Sequence, residues 1–193
     1  MRPSLRLPVV LPVVVAGACL LTACTRAGLP EPDRALATPL ASYDTGRAVV
    51  TRAEFCELVG PDALEEALGE VVEPETWGDG DRIDLGARRD AVQEFGCRWS
   101  APAATGAAWV AAPPVSLDLA RRLVGEQPGA GCSRVTDAPA YGDPSRAVTC
   151  ADGTVRFAGL FGDAWLTCEL RGPDVDVDAA GRWCVAVAEA ASS

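Results

Sequence analysis

Six cysteines constrain this chain more than any other feature: Cys56, Cys97, Cys132, Cys150, Cys168 and Cys184, spread through the second to fourth quarters of its 193 residues. There is no His anywhere and no Cys-x-x-Cys pair, so the six do not read as a zinc site or a thioredoxin-like redox centre. An even set in an exported chain reads as a disulfide framework. The absent residue types remove further chemistry. Without His there is no Ser-His or Cys-His dyad and no imidazole switch near neutral pH. All 17 basic residues are Arg, which removes Schiff-base lysines and Walker-type phosphate loops.

The export that this framework needs is written at the start. Arg2 and Arg6 precede an apolar run from Leu7 to Leu21 broken by Pro8 and Pro12, and Leu21-Thr22-Ala23-Cys24 follows. A basic segment, a short apolar stretch and small residues at the cleavage point make a secretory signal over residues 1–23 rather than a spanning helix. Cys24 after Leu-Thr-Ala resembles the lipobox of bacterial lipoproteins, in which the thiol is acylated and becomes the new N-terminus. Cys19, after Ala16-Gly17-Ala18, lacks the large aliphatic residue at that position. Each buried acyl methylene contributes roughly 0.8 kcal/mol, and two chains hold a protein stably on a membrane. The expected location is the outer face of the cytoplasmic membrane, with the membrane itself a partner through the anchor. Residues 24–47, with Pro30, Pro32 and Pro39 and no apolar period, read as a disordered tether, leaving 48–193 as one extracytoplasmic domain.

From Cys24 onwards 15 Arg face 27 acids, a net charge of −12. Such a chain repels nucleic acid and anionic headgroups instead of releasing counterions.

Within the domain, Thr51-Arg52-Ala53-Glu54 reads as a capping box opening a short helix that holds Cys56. Pro61 starts a second helix that Gly69 ends. Residues 70–89 read as an irregular acidic loop around Trp77. Phe95, Cys97 and Trp99 share one face of a strand, and 107–112 returns as its partner before Pro113-Pro114. Ser116 caps a helix with Leu117, Ala120, Leu123 and Val124 on one stripe and Arg121 and Arg122 facing out. Residues 127–145 read as a second long loop. Arg146–Ala151, Asp152-Gly153 and Thr154–Phe161 form a hairpin, and Gly162-Asp163 turns into a third strand ending at Leu170. A last helix covers 179–191. The predicted fold is α+β, an antiparallel sheet of about five strands with helices packed on it and disulfides stapling it. Gly106-Ala107-Ala108-Trp109-Val110 is echoed by Gly162-Asp163-Ala164-Trp165-Leu166, each copy followed by a helix.

Fifteen pairings of six cysteines are possible. Leu166, Cys168 and Leu170 point one way from their strand, and Cys184 lies on the apolar face of the following helix, so a helix lying back over its strand pairs Cys168 with Cys184. Cys132 and Cys150 flank one loop, which leaves Cys56 with Cys97. On the chain-entropy model each bridge stabilises by roughly 3–4 kcal/mol before strain is subtracted.

Phe55-Cys56-Glu57-Leu58-Val59-Gly60-Pro61, Leu64, Ala67-Leu68-Gly69 and Cys97-Arg98-Trp99, behind a lipobox and tether, resemble a family of actinobacterial lipoproteins of unknown function. In that family a Cys-x-Leu-Leu-x-Pro helix start is followed by a Cys-x-Trp strand. The resemblance covers residues 50–110 and implies the Cys56–Cys97 bridge and an antiparallel α+β fold. The architecture is also similar to the extracellular sensor domains of mycobacterial Ser/Thr kinases. The resemblance carries over no catalytic residue.

Three constellations could bear chemistry. Asp79, Asp81 and Asp84 beside Trp77 lack the spacing of an EF-hand; Trp77, in a polar loop, is the best single contact residue, with Asp79 and Asp81 beside it. Asp174, Asp176 and Asp178 precede the last helix, where acids favour the N-terminus. Trp99, Trp109, Trp165 and Trp183 sit in elements and read as core. A two-carboxylate hydrolase needs no His, but no acid stands in a run that reads as buried, and there is no G-x-S-x-G elbow. The expectation is a non-catalytic domain with no cofactor and no metal, binding a small ligand or an envelope protein. The alternatives are a carboxylate-dependent envelope hydrolase and an accessory subunit of a surface kinase or transporter.

Overall fold

The segments with the clearest period of two form the middle of one antiparallel sheet. The computed structural model describes residues 37–84 and 89–193; Cys24, the leader and residues 24–36 of the expected tether lie outside them. The strands are β1 (Glu75–Trp77), β2 (Arg82–Asp84), β3 (Arg89–Ala91), β4 (Glu94–Ser100), β5 (Thr105–Ala111), β6 (Cys132–Arg134), β7 (Ser145–Cys150), β8 (Thr154–Phe161) and β9 (Ala164–Arg171). The helices are α1 (Pro61–Leu68), α2 (Leu117–Gly125) and α3 (Val177–Ala190). The main sheet has seven strands in the order β1-β4-β5-β9-β8-β7-β6, and β2 pairs with β3 in a separate ladder.

The class is α+β as expected, with two strands more than the five read from the sequence. β4, β5, β7, β8 and β9 are those five. β1 and β6 are added at the two edges from stretches read as loops; β2 also falls in the first of those stretches, and β3 begins at its last residue. Each edge strand is three residues long, too short to show a hydrophobic period, and each is extended because β4 or β7 supplies its hydrogen bonds.

One face of the sheet carries the core. Cys97, Trp99, Val110, Phe157, Leu166, Cys168 and Leu170 point to α1 and α3 and are almost completely buried. Trp183 of α3 meets Trp99 edge-on, the ring centroids 5.1 Å apart at 88°, and its Nε1–H donates to the Glu169 carbonyl at 3.1 Å. Edge-to-face pairs of this kind add about 0.5–1.5 kcal/mol beyond the area they bury. The three bridges join Cys56 to Cys97, Cys132 to Cys150 and Cys168 to Cys184. They tie the 55–59 turn to β4, β6 to β7 across the ladder, and α3 to β9.

α1 and α2 start where the sequence says, whereas the last helix, expected over 179–191, runs from Val177 to Ala190 with Asp178 in its first turn. Ser116 Oγ accepts from the Leu119 N–H at 3.3 Å, and Asp176 Oδ1 accepts from the Ala179 N–H at 2.7 Å. Asp176, one of three alternating acids, is therefore the cap of α3, a role worth about 1 kcal/mol.

Two local expectations are corrected. Thr51 opens no helix: its N–H and Oγ1 both donate to the Ala191 carbonyl, at 2.8 and 3.0 Å, and the only helical turn nearby is a 3₁₀ turn at Cys56–Leu58. Docking onto the end of α3 pairs the Thr51 N–H, which a capping box would have given to Glu54, and turns the Thr51 hydroxyl from the acceptor a capping box needs into a donor. The expected tether also ends earlier than residue 47. Ala37 N–H donates to Glu66 Oε2 at 2.7 Å, and Leu40, 4% exposed, packs against the bare backbone at Gly181 of α3. A single buried Leu in a matching gap orders a stretch whose average composition is that of a spacer.

Candidate binding surface

β1 is the first element to consider, because it carries Trp77. Trp77 lies opposite Gly96 of β4, and its indole covers that glycine so closely that a Cβ there would overlap the ring. Its Nε1–H donates to Glu94 Oε1 at 3.0 Å, and the Arg98 guanidinium lies 6.0 Å from the ring centroid. At 9% exposure, Trp77 stands packed on a short strand and not in the loop that the sequence suggested. Asp81 Oδ2 accepts from the Gly78 N–H at 2.8 Å and closes the turn after β1, while Asp79 is exposed at its tip. The structure brings Trp77 and Asp81 to one small hollow with Thr76 and leaves Asp79 outside it. Asp84 belongs to β2.

Glu94 is the half-buried acid that the sequence did not reveal. Burial raises its carboxyl above the ordinary glutamate value, and the Trp77 hydrogen bond works against that rise. The signal was masked because Glu94 opens its strand next to Gln93, in a polar context.

The register places a second set of side chains on the face of the sheet opposite the core. α2 covers one end of that face, over Ala158, Leu160 and Trp165. Away from α2, one row across the strands reads Glu75, Arg98, Ala107, Glu169 and Arg156. Arg98 Nη1 lies 3.4 Å from Glu75 Oε2, and Arg156 Nη2 lies 2.6 Å from Glu169 Oε2. The Arg156 guanidinium also lies 5.8 Å from the centroid of Trp109, a half-buried ring on the same face. The next row holds Ser100, Thr105, Arg171 and Thr154. Between the two rows is an open depression of about 450 Å³. Trp109, expected in the core with Trp99, Trp165 and Trp183, is thus placed on this side of the sheet, the side that also carries Trp77 and the α2-covered Trp165.

Positive charge is crowded here although the chain is strongly acidic. Burial lowers the pKa of Arg146, and Arg134 and Arg156 lower it further against the opposing pull of Glu126. Arg146 itself stands outside the depression, where its Nη1 donates to the Leu123 carbonyl of α2. In the lining, the Thr154 side chain and backbone N–H hold Asp152 below the ordinary aspartate value, with Arg171 adding to the effect. Arg171 makes no ion pair among the described residues.

Sequence reasoning missed Arg98, Arg156 and Arg171 as site residues. Their signal was the polar half of the period-two alternation, which in an isolated strand reads as solvated surface. Only the register shows that three strands aim their arginines into one hollow. Among the described residues no group of His, Cys, Asp or Glu is arranged to hold a metal ion, and no helix is long and apolar enough to cross a membrane. Comparison with protein-family models, with curated proteins and with solved structures finds no match to this chain.

Proposed function

We propose that this protein is an extracytoplasmic lipoprotein, held at the outer face of the cytoplasmic membrane through Cys24, whose disulfide-stapled domain binds a ligand without transforming it. The observation that carries this reading is the pairing of all six cysteines after Cys24. Bridges persist in oxidising compartments, and the segment before Cys24 supplies the export signal and the acylation motif. The open face of the sheet, with paired and unpaired charges around a shallow hollow, supports a binding role. Its residue types suit recognition by hydrogen bonds and charge.

Labelling of growing cells with an alkyne-bearing palmitate tests the anchor. The wild-type chain is expected to take the label and to stay with the membrane fraction. Cys24→Ala is expected to lose both. A Cys24→Ala chain that is still labelled and retained contradicts the lipoprotein reading.

A further inference from the structure

The depression on the open sheet face combines groups that are seldom useful together. Arg98, Arg156 and Arg171 line it with Glu169 and Asp152. A site for a simple anion has no use for two carboxylates, which repel it. A ligand that carries one negative charge and several hydroxyl groups uses both kinds: guanidiniums hold the charge in their planar fork, and carboxylates accept from the hydroxyls. Ser100, Thr105 and Thr154 complete the lining with side chains able to donate or accept.

The charge balance narrows the anion. Once a ligand displaces Glu75 from Arg98, three guanidiniums against the two lining carboxylates leave one positive charge. That matches a carboxylate, whereas a phosphate monoester brings about −1.5 to −2 at neutral pH. Availability of the cations also differs. Glu169 holds Arg156 with two contacts, 2.7 Å from Nε and 2.6 Å from Nη2, which fixes the orientation of that guanidinium. Arg98 lies 6.0 Å from the Trp77 ring centroid and is paired with the largely exposed Glu75 at 3.4 Å, a surface pair worth about 0–1 kcal/mol that a ligand can displace. Arg171 is unpaired among the described residues. The hollow opens to solvent on a part of the sheet that α2 leaves uncovered, so an oligomer can enter without threading.

We infer that this face binds a uronate-bearing oligosaccharide, with Arg98 and Arg171 on the sugar carboxylate and Glu169 and Asp152 accepting from ring hydroxyls. The inference rests on the reading of the domain as a binding module and names its ligand class.

Titration calorimetry on the full chain purified in detergent, with tetragalacturonate as the probe, tests it. Tetragalacturonate is expected to bind saturably and to weaken as salt is raised. Arg171→Gln and Arg98→Gln are each expected to lower affinity by about tenfold or more with an unchanged circular dichroism spectrum, as loss of a charge-assisted hydrogen bond does. Maltotetraose, which has the hydroxyls and no charge, is expected to bind at least about tenfold more weakly. The inference is overturned if tetragalacturonate does not bind or if maltotetraose binds as tightly. It is also overturned if inorganic phosphate, glucose 6-phosphate or a polyglutamate peptide is preferred, or if both arginine variants keep wild-type affinity. Acylation at Cys24 plays no part in this measurement, so failure of the anchor and failure of the ligand assignment are read separately.

Discussion

The indole of Trp77 rests on the backbone of Gly96, its directly opposed residue on β4, in the space a side chain would fill. That contact fastens the three-residue edge strand β1 to the sheet and sets the position of the Trp77–Glu94 hydrogen bond. Gly96→Ala forces the ring away. The expected cost is about 1–3 kcal/mol, the usual range for an added methyl in a packed site, read as a lower midpoint in urea unfolding. In a Trp77→Ala background the same substitution is expected to cost much less, because the clashing ring is gone. Equal costs in the two backgrounds would show that the contact does not govern the site.

The sequence made the centre of this fold readable and hid its margins, for physical reasons. β4 alternates apolar and polar residues, β5, β7, β8 and β9 are apolar-rich runs of six to eight residues bounded by turn residues, and two-residue turns at Asp152-Gly153 and Gly162-Asp163 fix the pairing of the last three. The Cys168–Cys184 bridge followed from that phase. β1 and β6 carry no such pattern; they are strands only because a neighbour is there to pair with. Leu40 and the Glu66–Arg182 ion pair, 2.6 Å long and linking α1 to α3, bring together residues more than a hundred positions apart, and local pattern is silent about contacts of that range. Thr51-Arg52-Ala53-Glu54 has the letters of a capping box, but the donors of Thr51 found a better acceptor at Ala191.

The candidate site was less legible than the fold. Trp77 attracted notice as an aromatic among acids, yet one glycine on an adjacent strand is enough to bury it. Arg98, Arg156 and Arg171 belong to three different strands, and each taken alone is an ordinary outward-facing charge. Their convergence depends on the β4-β5-β9-β8 order, in which β5 joins two hairpins that are about fifty residues apart in the chain.

The three bridges are expected to differ in resistance to reduction according to their burial. Cys56, Cys97, Cys168 and Cys184 are nearly or fully buried, whereas Cys132 and Cys150 are half-buried on directly opposed positions of the edge pair β6–β7. A reducing thiolate must reach a sulfur to attack it. Mild dithiothreitol under native conditions, followed by iodoacetamide and mass spectrometry, is expected to modify Cys132 and Cys150 first, with far-ultraviolet circular dichroism retained. On the chain-entropy model the Cys132–Cys150 loop of 18 residues contributes about 3 kcal/mol and the Cys56–Cys97 loop of 41 residues about 4 kcal/mol. Opening all three bridges is therefore expected to unfold the domain. Early modification of Cys168 or Cys97 would contradict the order.

Glu94 gives the domain a definite pH signature. Burial raises its carboxyl above the ordinary value of 4.5, with the Trp77 N–H opposing. A group whose pKa is higher in the folded state favours folding when protonated. Its stabilising contribution is fully present below the unfolded value of 4.5 and is lost as pH rises through the folded value. At neutral pH the charged Glu94 therefore works against folding, because its partly buried carboxylate has lost water that one hydrogen bond does not replace. Glu94→Gln keeps an oxygen acceptor for the Trp77 N–H and removes the charge. Its melting temperature is expected to exceed that of the wild type at pH 7, and the difference is expected to shrink as pH falls towards 4. Scanning calorimetry of both chains across that interval reads the effect directly. A Glu94→Gln chain that melts lower than wild type at pH 7, or a difference that stays constant with pH, would mean that the Trp77 hydrogen bond outweighs the lost hydration and that the carboxylate is the favoured form.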